Sequence, residues 1–460
     1  MATERMAGGD AAWLHMDRPT NLMIVNAVFW FDDPLDWDAV TTVLQERLVE
    51  VFPRFRQRVL DPSITLGEVS RPRWEDVPGF RVEDQVRRSR LEGPDKDEAL
   101  HGYASGQAAT PLDPSRPLWE AHFLDGYGDG SAVLFRTHHA IADGIALVQV
   151  LLHLADPPAE GRHPGQLPLE DPAGGMASTV SRRLARLGGQ VRQEPGSLLP
   201  TPGRVADVVA STRANTAMLR KLGFGLSDQG DALRRPLGTE KRLTWSEAMP
   251  LDEVKRVGRA TSSTVNDVAL ALIAGALRRY LDGAGRPLEP IRAVVPYNLR
   301  PLDEPLPRRL GNRFGLVFVE LPVDVAGCRA RVAAVNERMA TIKASNEGLV
   351  VYGGFSLVSG RTPVQVAQAW LELFARKASA VITNIAGPRE TLSLAGASLT
   401  GFMLWVPTSG SIGVGLSIVS YAGRLTLGVA VDPGVVPDAD QLLQALRAEM
   451  AEMVELVHEG

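Results

Sequence analysis

Cysteine is nearly absent from this chain, occurring once, at Cys328. That excludes an intrachain disulfide framework and any zinc centre built from several thiolates, and it suits a reducing compartment. Cys328 lies in Gly327-Cys328-Arg329 with no nucleophile motif around it, and reads as a half-buried helix residue. A surplus of positive charge is also missing. Lys and Arg number 49 against 54 Asp and Glu, for a net charge of −5, so the general electrostatic footprint of a nucleic-acid binder is not there. Long hydrophobic runs are lacking too. The densest apolar segment, Val268 to Leu277, is well short of the ~18 residues that suggest a spanning helix. Met1-Ala2-Thr3-Glu4-Arg5 shows no basic region leading into an apolar one, so no secretory leader is expected. The expectation is a cytoplasmic protein that meets a membrane or a lipid droplet only at its surface.

The chain has 460 residues, 45% of them apolar and 22% charged, which points to two or three globular domains. Its pattern alternates. Met23–Trp30 reads as a strand and Asp36–Val51 as a helix ended by Pro53, with Asp95–Ala109 a further helix. Pro117 to Leu124 and Ser131 to Thr137 read as two strands of a hairpin around the Gly-rich turn from Gly126 to Gly130. From Asp156 to Gly175 the composition shifts to a Pro- and Gly-rich linker. Met176–Leu222 then carries eight Arg or Lys against two acids, with apolar residues between them. This basic amphipathic pattern fits either an anionic lipid surface or a crossover helix packed on the protein. Strands are expected again at Arg242–Trp245, Ile291–Pro296, Arg313–Leu321 and Ala380–Ile385. Helices are expected at Leu251–Ala260, Val265–Tyr280, Val325–Ala344, Thr362–Arg376 and Ala439–Val457, and a hairpin at Ile412–Tyr421 with Leu425–Val431. The expected division is residues 1–155 as a first α/β domain, 156–235 as linker and crossover, and 236–460 as a second α/β domain.

Two of the eight histidines stand side by side, in His138-His139-Ala140-Ile141-Ala142-Asp143-Gly144. They fall where a strand ends and a turn leads into the helix from Ile145, an edge at which a rigid scaffold can present reactive groups. Neutral imidazole is the usual general base near neutral pH, provided its second nitrogen is held. Neighbouring strand residues point to opposite faces, so one histidine enters the reaction cavity. That role goes to His139, and His138 supports it from behind. Asp143 either orients His139 or pairs with an arginine to pin the turn, and Gly144 lets backbone and substrate approach closely. No third ligand stands at metal-like spacing, so no metal is expected.

The seven residues His138 to Gly144 resemble the HHxxxDG signature of the CoA-dependent acyltransferase superfamily. Other segments narrow the likeness to the bacterial wax ester synthase/diacylglycerol acyltransferase family. They are Met16-Asp17-Arg18-Pro19-Thr20-Asn21-Leu22-Met23, Pro117-Leu118-Trp119, Asn266-Asp267, Val295-Pro296-Tyr297-Asn298-Leu299-Arg300, Leu310-Gly311-Asn312-Arg313, Thr383-Asn384-Ile385-Ala386-Gly387-Pro388 and the closing hairpin from Gly415 to Asp432. Tyr297-Asn298 and Thr383 depart from the usual residues at positions that bear on substrate choice.

The resemblance implies two chloramphenicol-acetyltransferase-like α/β domains, with mixed sheets flanked by helices and a tunnel between them. It implies an acyl-CoA co-substrate, a lipophilic alcohol acceptor, no separate cofactor and no acyl-enzyme. The catalytic set expected is His139, His138 and Asp143, and substrate contacts are expected from Gly144, Asn266, Asn384 and Gly387. Asn266 serves either near the reacting carbonyl or as a helix-start residue, and the Asn384–Gly387 segment lines the cavity or forms a plain turn. Arg300 and Arg313 are candidates for Asp143 or for CoA phosphates, while Trp119 and Trp405 read as core aromatics. The alternative activities are acyl transfer to a secondary-metabolite hydroxyl or amine, and a non-catalytic lipid-binding protein.

Overall fold

The computed structural model describes residues 3–60, 72–158, 160–163, 166–169, 231–298, 305–312, 314–343, 376–408 and 410–458. The chain divides into two units. One comprises Met1–Gln166, Ser227–Pro301 and Arg309–Gly460, and the other Leu167–Leu226 with Leu302–Arg308. In the second unit the described residues include a parallel bridge between Leu169 and Leu306. The basic stretch Met176–Leu222, the expected helix Thr362–Arg376 up to residue 375, and both Arg300 and Arg313 lie outside the described residues.

The first unit is built on two large mixed sheets and a small three-stranded one. In the first large sheet the order is Ser393–Leu394, Ala397–Trp405, Ile24–Phe31, Gly130–His138, Trp119–Tyr127 and Val86–Arg90. In the second it is Phe314–Leu321, Ile291–Asn298, Ala380–Ala386, Val414–Tyr421, Arg424–Val431 and Arg242–Trp245. The expected hairpins are present and antiparallel: Trp119 faces Thr137, with a register shift between Asp125 and Tyr127, and Val414 faces Val431. The middle of the second sheet is parallel, where Ala380–Ala386 runs beside both Ile291–Asn298 and Val414–Tyr421. These parallel pairs need helical crossovers, and Cys328–Lys343 lies in one such connection.

Two expectations need correction. The helix after Asp36 is α-helical only over Trp37–Val43, then widens to a π-turned segment over Leu44–Val49. More consequentially, the division at 155 and 236 does not separate the two sheets. Ala397–Trp405, far into the expected second domain, pairs antiparallel with Ile24–Phe31 and completes the first sheet. Trp30 and Trp405 from the first sheet meet Trp245 of the second, with ring centroids 5.3 and 5.6 Å apart.

The second sheet is covered by Val265–Gly283, buried along nearly all of its length. A helix buried without a break from Asp267 to Leu277 has partners on several sides; here they include Ala439–His458 and Cys328–Lys343. Its start is fixed by a capping box, with Thr264 accepting from the Asp267 N–H and Asp267 accepting from the Thr264 N–H. Cys328 opens its helix fully buried, at 2% exposure rather than half, and burial pushes its thiol up to about 12. It is therefore not a poised nucleophile.

Candidate active site at the histidine turn

The strand Gly130–His138 ends at the first histidine, and the turn begins at the second. Along the strand, Val133, Phe135 and Thr137 face an apolar cavity, whereas the buried Arg136 meets Glu120 on the other face. Glu120 also takes hydrogen bonds from His122 and Arg87. Burial alone would raise its carboxyl, but these partners and Arg136 prevail and hold it at about 2. The strand thus has one face committed to a paired polar network and one face to a hollow.

The two histidines have different surroundings. His138 accepts a 3.0 Å bond from the Ala140 N–H on Nδ1, and its Nε2 lies 3.4 Å from an Asp17 carboxylate oxygen. Asp17 also accepts from the Met23 N–H, tying the approach to the neighbouring strand. His139 is 5% exposed, and its ring stacks on Trp13 at 4.3 Å between centroids. Its N–H donates to the Met23 carbonyl at 2.8 Å, and its carbonyl accepts from Asn312 Nδ2 at 2.8 Å. Burial pushes its imidazole down to about 4, with Asp143 opposing that shift and His138 adding to it. At neutral pH His139 is therefore an uncharged base.

Asp143 caps the following helix, Gly144–Leu154, by accepting from the Ala146 N–H at 2.8 Å. One of its two expected roles, pinning the turn, is thereby carried by a helix cap. Gly144 does not serve a tight backbone turn: a Cβ there would meet only Val406, at 3.9 Å. Its missing side chain leaves open space beside the histidine turn. Asn266 and Asn384 come together, Asn384 Nδ2 donating to Asn266 Oδ1 at 2.7 Å. Asn266 is not the helix cap, since Thr264 has that place. Gly387 donates its N–H to the Ser420 carbonyl, and a Cβ on it would fall 2.7 Å from that oxygen. Its N–H is thus spent on strand packing. Thr383 is buried in the strand Ala380–Ala386, and Trp119 and Trp405 are core aromatics.

Sequence reasoning missed a support behind His139. Asp10 and Trp13 sit on the N-terminal helix Gly8–Met16. Asp10 accepts from both Asn312 N and Asn312 Nδ2, at 3.1 and 2.8 Å, and Asn312 holds the His139 carbonyl. Burial raises the Asp10 carboxyl to about 6, against the pull of Asn312 and Arg54. Asn312 stood in a recognised landmark, but nothing local links it to residues about 300 positions away. Among the described residues no group of three His, Cys, Asp or Glu side chains is arranged to hold a metal ion.

The apolar cavity lies inside the first layer, between the sheet and the helix Gly144–Leu154, rather than between the two sheets. It holds about 910 Å³ including its mouth and is bounded by Val25, Phe29, Phe31, Val133, Leu147 and Leu151 among others. Thr137 and Ser393 are the hydroxyl-bearing residues in its wall. Val25 and Phe31 lie six positions apart on their strand, a run of roughly 20 Å.

A buried histidine at a strand end, an aspartate that caps the next helix and an adjoining apolar slot thus lie together on a two-sheet α/β scaffold. Family models make this specific. The wax ester synthase/diacylglycerol acyltransferase catalytic domain matches residues 6–269, and the C-terminal domain of the same group matches residues 310–454. The chain belongs to the wax ester synthase/diacylglycerol acyltransferase family. It is 29% identical over 456 residues to the probable diacylglycerol O-acyltransferase tgs1 of Mycobacterium tuberculosis, covering 95% of this chain and 92% of that one. A putative diacylglycerol O-acyltransferase of the same organism is 26% identical, with 98% and 97% covered. Among solved structures, the wax ester synthase/diacylglycerol acyltransferase from Marinobacter aquaeolei VT8 superposes with a TM-score of 0.67 at 20% identity, over 99% of this chain and all of that one. The first condensation domain of the calcium-dependent antibiotic synthetase follows at 0.61 and 15%, over 99% of this chain and 97% of that one. The two-domain acyltransferase fold expected from the motifs is thus the fold of this chain.

Proposed function

We propose that this acyltransferase moves a fatty acyl group from acyl-CoA to a lipophilic alcohol, a long-chain alcohol or a diacylglycerol, with His139 as the general base. The observation that carries the reading is the apolar slot, whose wall includes Thr137, two residues before that base, and the helix that Asp143 caps. An alkyl chain gains there by leaving water, and the slot offers a charged substrate little. His139 takes the acceptor hydroxyl proton, and the oxygen attacks the thioester carbonyl. The tetrahedral intermediate collapses by breaking the C–S bond, and the CoA thiolate receives the proton back from the imidazolium. No acyl-enzyme and no cofactor take part. Trp13, stacked on the ring, and Asn312, on the His139 carbonyl, hold the base in place. Asn266 and Asn384 would supply polar contacts from the second half.

No single described helix is long and apolar enough to cross a membrane. We assign contact with lipid to the surface, at a membrane face or a droplet. The test is thiol release from palmitoyl-CoA by the purified protein, with hexadecanol, dioleoylglycerol and a water-soluble alcohol as acceptors. Acceptor-dependent release with one of the two lipophilic alcohols is expected. Release with the soluble acceptor alone would reject the lipid reading.

A further inference from the structure

We propose that the Thr137 hydroxyl donates a hydrogen bond to the carbonyl oxygen of the acyl thioester, and so sets where the acyl group stops in the slot. The inference rests on the reading of acyl-CoA as substrate. Thr137 is in the wall of the slot and is buried, at 1% exposure. Its Oγ1 has no hydrogen-bond partner among the described residues. A buried hydroxyl left unpaired costs stability. Valine would suit a strand equally well and fill nearly the same space without that cost. The hydroxyl therefore awaits a partner that arrives with the substrate.

Ser393, the other hydroxyl-bearing residue of the wall, is already engaged, because it bonds the Asp156 carboxylate. The two stand at opposite ends of the strand Ile24–Phe31. Thr137 pairs with Val25, next to the histidine turn. Ser393 pairs with Ser398, whose neighbour Leu399 pairs with Phe31 at the far end. The remaining described residues of the wall carry hydrocarbon side chains. A fatty acyl group likewise has one polar atom on its chain, the carbonyl oxygen, and that atom belongs at the histidine end. Two polar groups that would each be costly alone in an apolar slot satisfy one another there.

The spacing to the base fits this role. The strand ladder runs one step past His138, with the His139 N–H on the Met23 carbonyl at 2.8 Å. Residues two positions apart on a strand project to the same side, with their Cα atoms about 6.6 Å apart. Thr137 and His139 thus flank a space in which an acceptor oxygen, held by the imidazole, stands ~3 Å from the thioester carbon. As that oxygen bonds the carbon, the C=O electron pair moves onto the carbonyl oxygen, and Thr137 then donates to a full negative charge. The pair returns when the C–S bond breaks. The hydrogen bond is therefore stronger in the tetrahedral intermediate than in the bound thioester.

The test sets Thr137→Val against two ligands, lauroyl-CoA and S-dodecyl-CoA, the thioether of equal chain length that lacks the carbonyl. Binding is read by calorimetry without acceptor, and turnover by thiol release with the accepted alcohol. Thr137→Val should shift the ratio of the two affinities about three- to ten-fold against lauroyl-CoA. It should lower kcat about ten- to hundred-fold and melt no lower than wild type. Thr137→Ser, which keeps the hydroxyl, should recover most of both losses. An unchanged affinity ratio in the folded Thr137→Val protein overturns the inference. So does a loss confined to the KM of the acceptor, which would give the hydroxyl to the alcohol instead. If Thr137→Val does not fold, Thr137→Ala is read by the same ratio. If wild type releases no thiol and binds neither CoA ligand, the acyl-CoA reading fails and the inference with it.

Discussion

The two large sheets are covered in opposite ways. Val265–Gly283 lies on the second with thirteen buried residues and closes it as a solid core. Gly144–Leu154 lies on the first and leaves an apolar slot beneath it. A filled layer stores stability, because its apolar atoms make their full complement of contacts. A hollow layer forgoes some of that and retains room for a chain that arrives later. The histidine turn is attached to the hollow layer. The solid half supplies Asn312 and the completing strand Ala397–Trp405, which hold the hollow one in shape.

The sharpest way to break this contrast is at the base. His139→Ala should reduce acyl transfer by roughly 10²–10⁴-fold while the protein stays folded. Full activity in the folded variant would remove His139 from the chemistry. Next come paired enlargements. Ala274→Leu, in the solid layer at 0% exposure, should destabilise by about 1–3 kcal/mol in chemical denaturation. Ala27→Leu, facing the slot, should leave stability nearly intact and shift the preference of thiol release toward shorter acyl-CoA. Equal destabilisation by both would mean the slot is not a void that tolerates filling.

A smaller effect separates the roles of Asp143. Asp143→Ala should cost about 1 kcal/mol through the lost cap, whereas Asn caps nearly as well as Asp. If Asp143→Asn melts like wild type and still loses activity, the charge acts on His139. If it keeps activity, the cap is the whole role. The finest test is pH. The Asp10 carboxyl is raised from 3.8 to about 6 in the folded protein, so the fold favours its protonated form. The stability it contributes is complete below about 3.8 and is lost as pH rises through about 6. Asp10→Asn should therefore gain melting temperature relative to wild type between pH 4 and 7. Parallel curves would show that Asp10 does not titrate in that range.

Much of this organisation was legible in local pattern. The histidine strand, the hairpins and the helices Leu251–Ala260 and Ala439–His458 follow from periodicity and turn residues, and their observed bounds differ little. The seven-residue motif picked out His139 and Asp143, though not Asp143's part as a helix cap. What escaped depends on distant partners. Ala397–Trp405 finds its neighbour some 370 positions back, and no local signal announces which sheet a strand will join. The Asp10–Asn312–His139 support is invisible for the same reason, since three ordinary polar residues acquire meaning only when folding brings them together. Gly387 was expected at the substrate because its segment resembles a family landmark, and the neighbour its backbone meets is the Ser420 carbonyl.

The returning strand Ala397–Trp405 has a consequence for how the protein is made. Until residue 405 of 460 has emerged from the ribosome, Ile24–Phe31 is the rim of an unfinished sheet, with a row of backbone donors and acceptors unmatched. At ordinary translation rates the wait after the histidine helix is complete lasts on the order of tens of seconds. A newborn chain with such an open rim is a template for pairing with other nascent chains. Expression yield should therefore depend on translation speed and holdase chaperones more than the melting temperature of the finished molecule would suggest.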